Sequence, residues 1–278
     1  NSKDISGHTP LHEAVFGNHQ DIISLLIENK AKINVEDIRG CTPLHKAIEA
    51  GNEDIVRILL ANGANPNIKT NYGTPLLSAI RNNHKEIVEV LLKNGASVNV
   101  EGGKPLLFAV NAGYKNIVEI LLDNNACVND IYADGLTPLH VAAEKGHAQL
   151  VNALIRKGAN VESMTMNGIA PIFIAASKGH KDVVEILIAN KANVNVINIE
   201  DTPLHIAAGR GHTKVVEVLL RNGAKISIKD NKIRTPLELA VAHGYLQVVK
   251  MLLEHEKVDM NAYYSNGWTI LHIASSES

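Results

Sequence analysis

Apolar residues along this chain come in short bursts at helical spacing and never in long runs. Ile55-Val56 with Leu59-Leu60, and Ile87-Val88 with Val90-Leu91-Leu92, each put one buried stripe on a helix of two to three turns. A shorter, Ala-rich helix precedes each such helix, and a Gly-His-like turn separates the two. The pattern predicts pairs of short helices throughout the chain.

The pairs repeat. A Pro within a Thr-Pro-Leu-His-like tetrapeptide stands at Pro10, Pro43, Pro75, Pro105, Pro138, Pro171, Pro203 and Pro236, with Ile270 in the ninth slot; the spacings are 33, 32, 30, 33, 33, 32, 33 and 34 residues. In the second unit the run reads Gly40-Cys41-Thr42-Pro43-Leu44-His45, then Gly51-Asn52-Glu53-Asp54-Ile55-Val56, then Leu59-Leu60-Ala61-Asn62-Gly63-Ala64. Self-similarity at such a period marks a stack of identical supersecondary units.

This pattern resembles the ankyrin repeat, over eight complete units and the start of a ninth. The resemblance implies an all-α repeat solenoid, in which helix-turn-helix units with a β-hairpin or loop stack into a curved superhelix. It assigns residues 1–278 to one domain, with repeats at about 4–36, 37–69, 70–100, 101–131, 132–164, 165–197, 198–229, 230–263 and a partial 264–278.

Local chemistry supports the same elements. Thr42 and its equivalents suit an N-cap, and the following Pro suits the first helical position, where its missing N–H costs nothing. Ala47, Ala79, Ala109, Ala142, Ala175, Ala207 and Ala240 recur where neighbouring units approach closely. Asp54, Glu86 and Asp182 open the second helix, where negative charge favours the helix dipole. Gly63, Gly95, Gly158 and Gly223 end it as left-handed caps. Lys30, Lys191 and Glu256 occupy that slot at a cost of about 1 kcal/mol each, with Asn125 a milder exception.

The register breaks in three places. The run Val100-Glu101-Gly102-Gly103-Lys104 shortens one hairpin and is expected to form a flexible joint with altered twist. Ile233 replaces a hairpin Gly, and Glu238 replaces the tetrapeptide His. The ninth unit ends at Ile273-Ala274-Ser275-Ser276 and leaves an uncapped face.

Composition narrows the function. Aromatic residues make up 4% of the 278 residues against 45% apolar overall, so burial depends on thin aliphatic layers. Lys plus Arg number 27 and Asp plus Glu 29, for a net charge of -2 without a basic run, so nucleic acid is excluded as an expected partner. Cys41 and Cys127 have no ligand or disulfide spacing and read as free thiols serving as small apolar fillers, in a reducing, cytoplasm-like compartment. No run approaches 18 apolar residues, so no membrane contact is expected from this segment. Its opening on Asn1 reads as that of a processed or excised segment.

No catalytic residue, metal site or cofactor is expected. Thirteen His invite such a reading, but the repeat absorbs most of them. His12, His45, His140, His205 and His272 fill the tetrapeptide slot, where the resemblance implies hydrogen bonds between adjacent units. His19, His84, His147, His180 and His212 fill the turn before the second helix. His8, His243 and His255 are scattered, and the Thr-Pro between His8 and His12 gives those two no required common face. No HExxH, Cys/His cluster, phosphate loop or nucleophile elbow occurs.

The resemblance implies a monomeric protein-interaction scaffold that takes a protein or peptide partner on a concave face of first helices and hairpin tips. Departures from the repeat on that face are the candidates: Phe16, Lys46, Glu49, Arg81, Phe108, Asn111, Glu144 and Arg210 on the helices, and Arg39, Tyr72, Tyr132, Met166, Lys232 and Trp268 at the tips. The aromatics suit binding anchors. The resemblance also makes Asn34, Asn67, Asn99 and Asn195 candidates for asparaginyl hydroxylation, against a simple turn-forming role. The alternatives are a targeting segment of a larger effector enzyme, or the repeat part of a membrane-acting toxin or channel. In both, the active portion lies outside these residues.

Overall fold

Helix pairs dominate the computed structural model, which describes residues 1–100, 104–198 and 201–255, together with Thr269 and His272. The chain divides into two compact units, Asn1–Cys127 and Val128–Ser278. The first contains α1 (Pro10–Phe16), α2 (Gln20–Glu28), α3 (Pro43–Glu49), α4 (Glu53–Ala61), α5 (Pro75–Arg81), α6 (Lys85–Lys93), α7 (Lys104–Ala112) and α8 (Lys115–Asp123). The second contains α9 (Pro138–Lys145), α10 (Ala148–Arg156), α11 (Pro171–Lys178), α12 (Lys181–Ala189), α13 (Pro203–Gly209), α14 (Thr213–Arg221), α15 (Pro236–Ala242) and α16 (Leu246–His255).

Within each unit the odd-numbered, inner helices pack side by side, and each also packs on its own even-numbered outer helix. The connecting tips contain no strand among the described residues, only the isolated bridge Thr70–Gly73. The architecture is therefore an all-α repeat solenoid built from nearest-neighbour layers.

The inner helices start as the sequence requires. Thr9, Thr42, Thr74, Thr137, Thr202 and Thr235 are extended N-caps with Pro next, and Ala170 takes the cap position of α11 without a side-chain bond. Ala47, Ala79 and Ala109 in the first unit, and Ala142, Ala175, Ala207 and Ala240 in the second, are wholly buried where inner helices meet. The outer helices close each layer with residues such as Ile55, Val56, Leu59, Val184 and Leu187, all with no accessible surface.

The stops after the outer helices keep their left-handed backbone even without Gly: φ is 64° at Lys30, 64° at Asn125 and 71° at Lys191. Glu256, Ile270 and the Ile273–Ser276 run lie outside the described residues, as does the middle of the Val100–Lys104 run.

Ile233 is more strained, because a β-branched side chain at φ 64° is a true outlier. It is 53% exposed, so little burial compensates. Ile233→Gly is expected to raise stability by about 1 kcal/mol, read as an increase in Tm.

Candidate functional site

In the tetrapeptide, Nδ1 of each His accepts the N–H of its own Thr cap, at 3.2 Å for His12, 3.1 Å for His140 and 3.3 Å for His205. The proton must then sit on Nε2, which donates forward to the next tip: to the Cys41 carbonyl at 3.1 Å, Ile169 at 3.0 Å and Arg234 at 3.1 Å. Burial lowers the pKa of all three rings, against the opposing pull of those carbonyls. These imidazoles are neutral connectors between layers.

His45 breaks the pattern. Its Nε2 is buried without a hydrogen-bond partner. The carbonyl in the receiving register, that of Gly73, instead accepts from the N–H and Oγ1 of Thr70, at 3.0 and 3.1 Å. This tip is closed across three residues, as is the one from Asn198 N–H to the Asp201 carbonyl, whereas the tips that receive His12, His140 and His205 close across four, as in Asp37 N–H to the Cys41 carbonyl. The one-residue deletion withdraws the acceptor. Desolvation takes the His45 pKa down to about 4, opposed in part by the Ile68 carbonyl.

Side chains pin the tips. Asp37 Oδ1 accepts the N–H groups of Arg39 and Cys41, both at 2.8 Å, and Asp230 Oδ1 accepts those of Lys232 at 2.9 Å and Arg234 at 2.7 Å. Burial pushes both carboxyls up, but these N–H groups, with Lys46 beside Asp37 and Arg234 beside Asp230, outweigh it and leave both pKa values lowered. Neighbouring tips also interlock: the Ile38 N–H donates to the Ser6 carbonyl at 3.2 Å, and the Met166 N–H to Asp134 at 2.9 Å.

A second ladder runs along the far end of each layer. The Asn34 side-chain N–H donates to the Gly63 carbonyl at 3.1 Å, while its Oδ1 accepts the Asn65 N–H at 2.9 Å. Asn67, Asn99 and Asn195 make the same double link. So does Asn129, which sequence reasoning missed although its Val-Asn-Asp context holds the same register. Glu162 takes the slot once and can only accept, from the Asn193 N–H at 2.7 Å. Asn67→Ala is expected to cost about 2 kcal/mol in urea unfolding, since two interlayer bonds disappear together.

The candidate partner-binding residues divide by unit. In the first, Phe16 is 83% exposed and lines a pocket of about 320 Å³ with His8, His12, Lys46, Glu49 and Ala50. His8 and His12 do share a face: their rings stack at 5.5 Å, because the extended Thr9 cap turns His8 back over the helix. Arg81 lies over the half-buried Phe108 ring, 5.7 Å from its centroid, and donates to the Tyr72 carbonyl. Tyr72 is 52% exposed; Arg39, Glu49 and Asn111 are also exposed.

In the second unit, Glu144 pairs with Lys178 at 3.3 Å, and Arg210 is held by the Ser177 carbonyl at 3.0 Å. Met166 is 80% exposed, Lys232 is exposed and Tyr132 is half-buried. Trp268 lies outside the described residues. Three residues after each Pro stand Glu13, Lys46, Ser78 and Phe108 in the first unit, of which Lys46 and Phe108 are candidates from the sequence, and Val141, Ile174, Ile206 and Leu239 in the second, of which none is. In the second unit this register is apolar, with Val141 and Leu239 buried and Ile174 and Ile206 half-buried, whereas in the first it includes the charged Glu13 and Lys46.

Little of this can do covalent chemistry. Asp4, His8 and Glu13 gather one ligand atom each within 4.8 Å. Asp4 Oδ1, however, already accepts the Ser6 and His8 N–H groups at 2.8 Å, and His8 Nδ1 meets Glu13 at 2.8 Å. Hydrogen bonding within the group accounts for it. Of the two free thiols, Cys41 is buried as an apolar filler, but Cys127 is exposed, contrary to that expectation, because its slot opens the loop after α8. No helix of the described residues is long and apolar enough to cross a membrane.

Comparison with known sequences adds one match. A family model described as ankyrin repeats in three copies fits residues 1–70, 68–132, 128–198 and 204–278. No curated protein matches the chain.

Proposed function

The chain belongs to the ankyrin-repeat family, and from that premise we propose that it is a scaffold holding a protein or peptide partner against its inner helices and hairpin tips. Repeats of this family are generally protein-interaction modules and typically non-catalytic. The observation that carries the proposal is the exposed Arg81 guanidinium, held by the Phe108 ring and the Tyr72 backbone carbonyl, with the Tyr72 side chain itself exposed. Arg and Tyr are enriched among the residues that dominate binding energy, and a guanidinium already fixed by a ring and a carbonyl loses little freedom on binding.

Exposed Phe16 strengthens the reading, since nothing in the fold requires a large aromatic at that position. A triple variant Phe16→Ala, Arg81→Ala, Phe108→Ala should keep the parental circular dichroism yet lose the protein that the parent retains from a lysate. Equal retention by both would reject this face as the binding surface.

A further inference from the structure

We infer that the inner-helix face of the first unit takes an extended peptide bearing an apolar, a basic and an acidic side chain in succession, about three residues apart. The inference rests on the scaffold reading above and specifies its ligand.

Four charged side chains other than His occupy α1, α3 and α5, namely Glu13, Lys46, Glu49 and Arg81. Two have side-chain partners on the same face: Glu13 meets the His8 ring at 2.8 Å, and Lys46 pairs with buried Asp37 at 3.3 Å. Glu49 and Arg81 have no oppositely charged partner among the described residues, and both are exposed. Arg81 is nonetheless fixed, by the Tyr72 carbonyl and the Phe108 ring, with guanidinium donors to spare. A fixed, unpaired guanidinium is suited to a carboxylate.

Phe16, Glu49 and Arg81 occupy the same register, six residues after Pro10, Pro43 and Pro75, on inner helices that pack against one another. The row therefore runs apolar, negative, positive. Phe16 opens the first position with a pocket of about 320 Å³, enough for one large aliphatic or aromatic side chain. Packed helices lie roughly 8–10 Å apart, and an extended chain advances about 3.3 Å per residue, so about three ligand residues match each layer. The complementary ligand reads apolar, then Lys or Arg, then Asp or Glu, in either chain direction.

The test is a panning of random 12-residue peptides against the full chain, with fluorescence-anisotropy titration of the enriched sequences. The expected motif is the one above. Phe16→Ala, Glu49→Lys and Arg81→Glu, each at an exposed position and checked for an unchanged Tm, should each weaken Kd by about fivefold or more. The double variant Glu49→Lys, Arg81→Glu should prefer peptides with the two charges exchanged. Enriched peptides that these variants weaken, but that lack the charge order, overturn the inference and leave the scaffold reading intact. Peptides indifferent to every variant, or no enrichment at all, overturn both.

Discussion

Gly135→Ala is expected to destabilise the second unit by about 3 kcal/mol, whereas Gly158→Ala costs about 1. Both glycines are left-handed, with φ of 80° and 90°, so the backbone penalty is shared. The difference lies in the surroundings. A Cβ on Gly135 would meet the Met166 nitrogen at 2.7 Å and the Thr165 backbone at 3.0 Å, while one on Gly158 meets nothing within 4 Å. Backbone cannot rotate away as a flexible side chain can. The tips must separate, and the 2.9 Å bond from Met166 N–H to the Asp134 carbonyl is lost with them. Urea unfolding of the two variants measures the contrast, and equal costs would show that the tips do not interlock in solution.

Acid is expected to destabilise the protein from about pH 6.5 downward, before Asp37 and Asp230 take up protons. The folded pKa of His45, about 4, lies below the ordinary 6.5, and those of His12, His140 and His205 are lowered in the same direction. The unfolded chain takes up protons that the fold excludes, so the stability from neutral rings is complete above about 6.5 and is lost as pH falls toward the folded values. For His45 alone the difference approaches roughly 3 kcal/mol. Asp37 and Asp230, whose pKa values are lowered from 3.8, add a second loss only below that range.

Tm measured between pH 7 and 4.5 should therefore fall steeply, and His45→Leu should flatten the slope. Leu is the residue in the same slot one layer on, where Leu77 is buried to 2%. The exchange removes an unpartnered buried nitrogen. His140→Leu should instead lower stability already at pH 7, because both of its ring nitrogens are engaged.

The layers were legible in sequence because each is specified locally. A Thr-Pro cap, a buried Ala and a left-handed stop each need only a few neighbouring residues, and the cost of Lys30 and Lys191 could be read the same way. The face was less legible. Phe16 and Phe108 are equally rare aromatics, yet one is open and the other lies under Arg81, an arrangement set by the adjoining layer. The stranded His45 nitrogen depends on a deletion some 25 residues downstream, and the shorter spacing alone does not say which carbonyl moves. His8 and His12 meet through the cap backbone, which the one-dimensional pattern does not contain.

The Asn ladder has a consequence for chemical ageing. Spontaneous deamidation would turn an Asn rung into a carboxylate, and Glu162 shows what such a rung keeps: it still accepts the Asn193 N–H but has no N–H to offer a carbonyl. An aged rung is thus halved rather than cut. Since each rung spans only two adjacent layers, old molecules would accumulate scattered weak seams, and proteases would nick them at different layers in different copies.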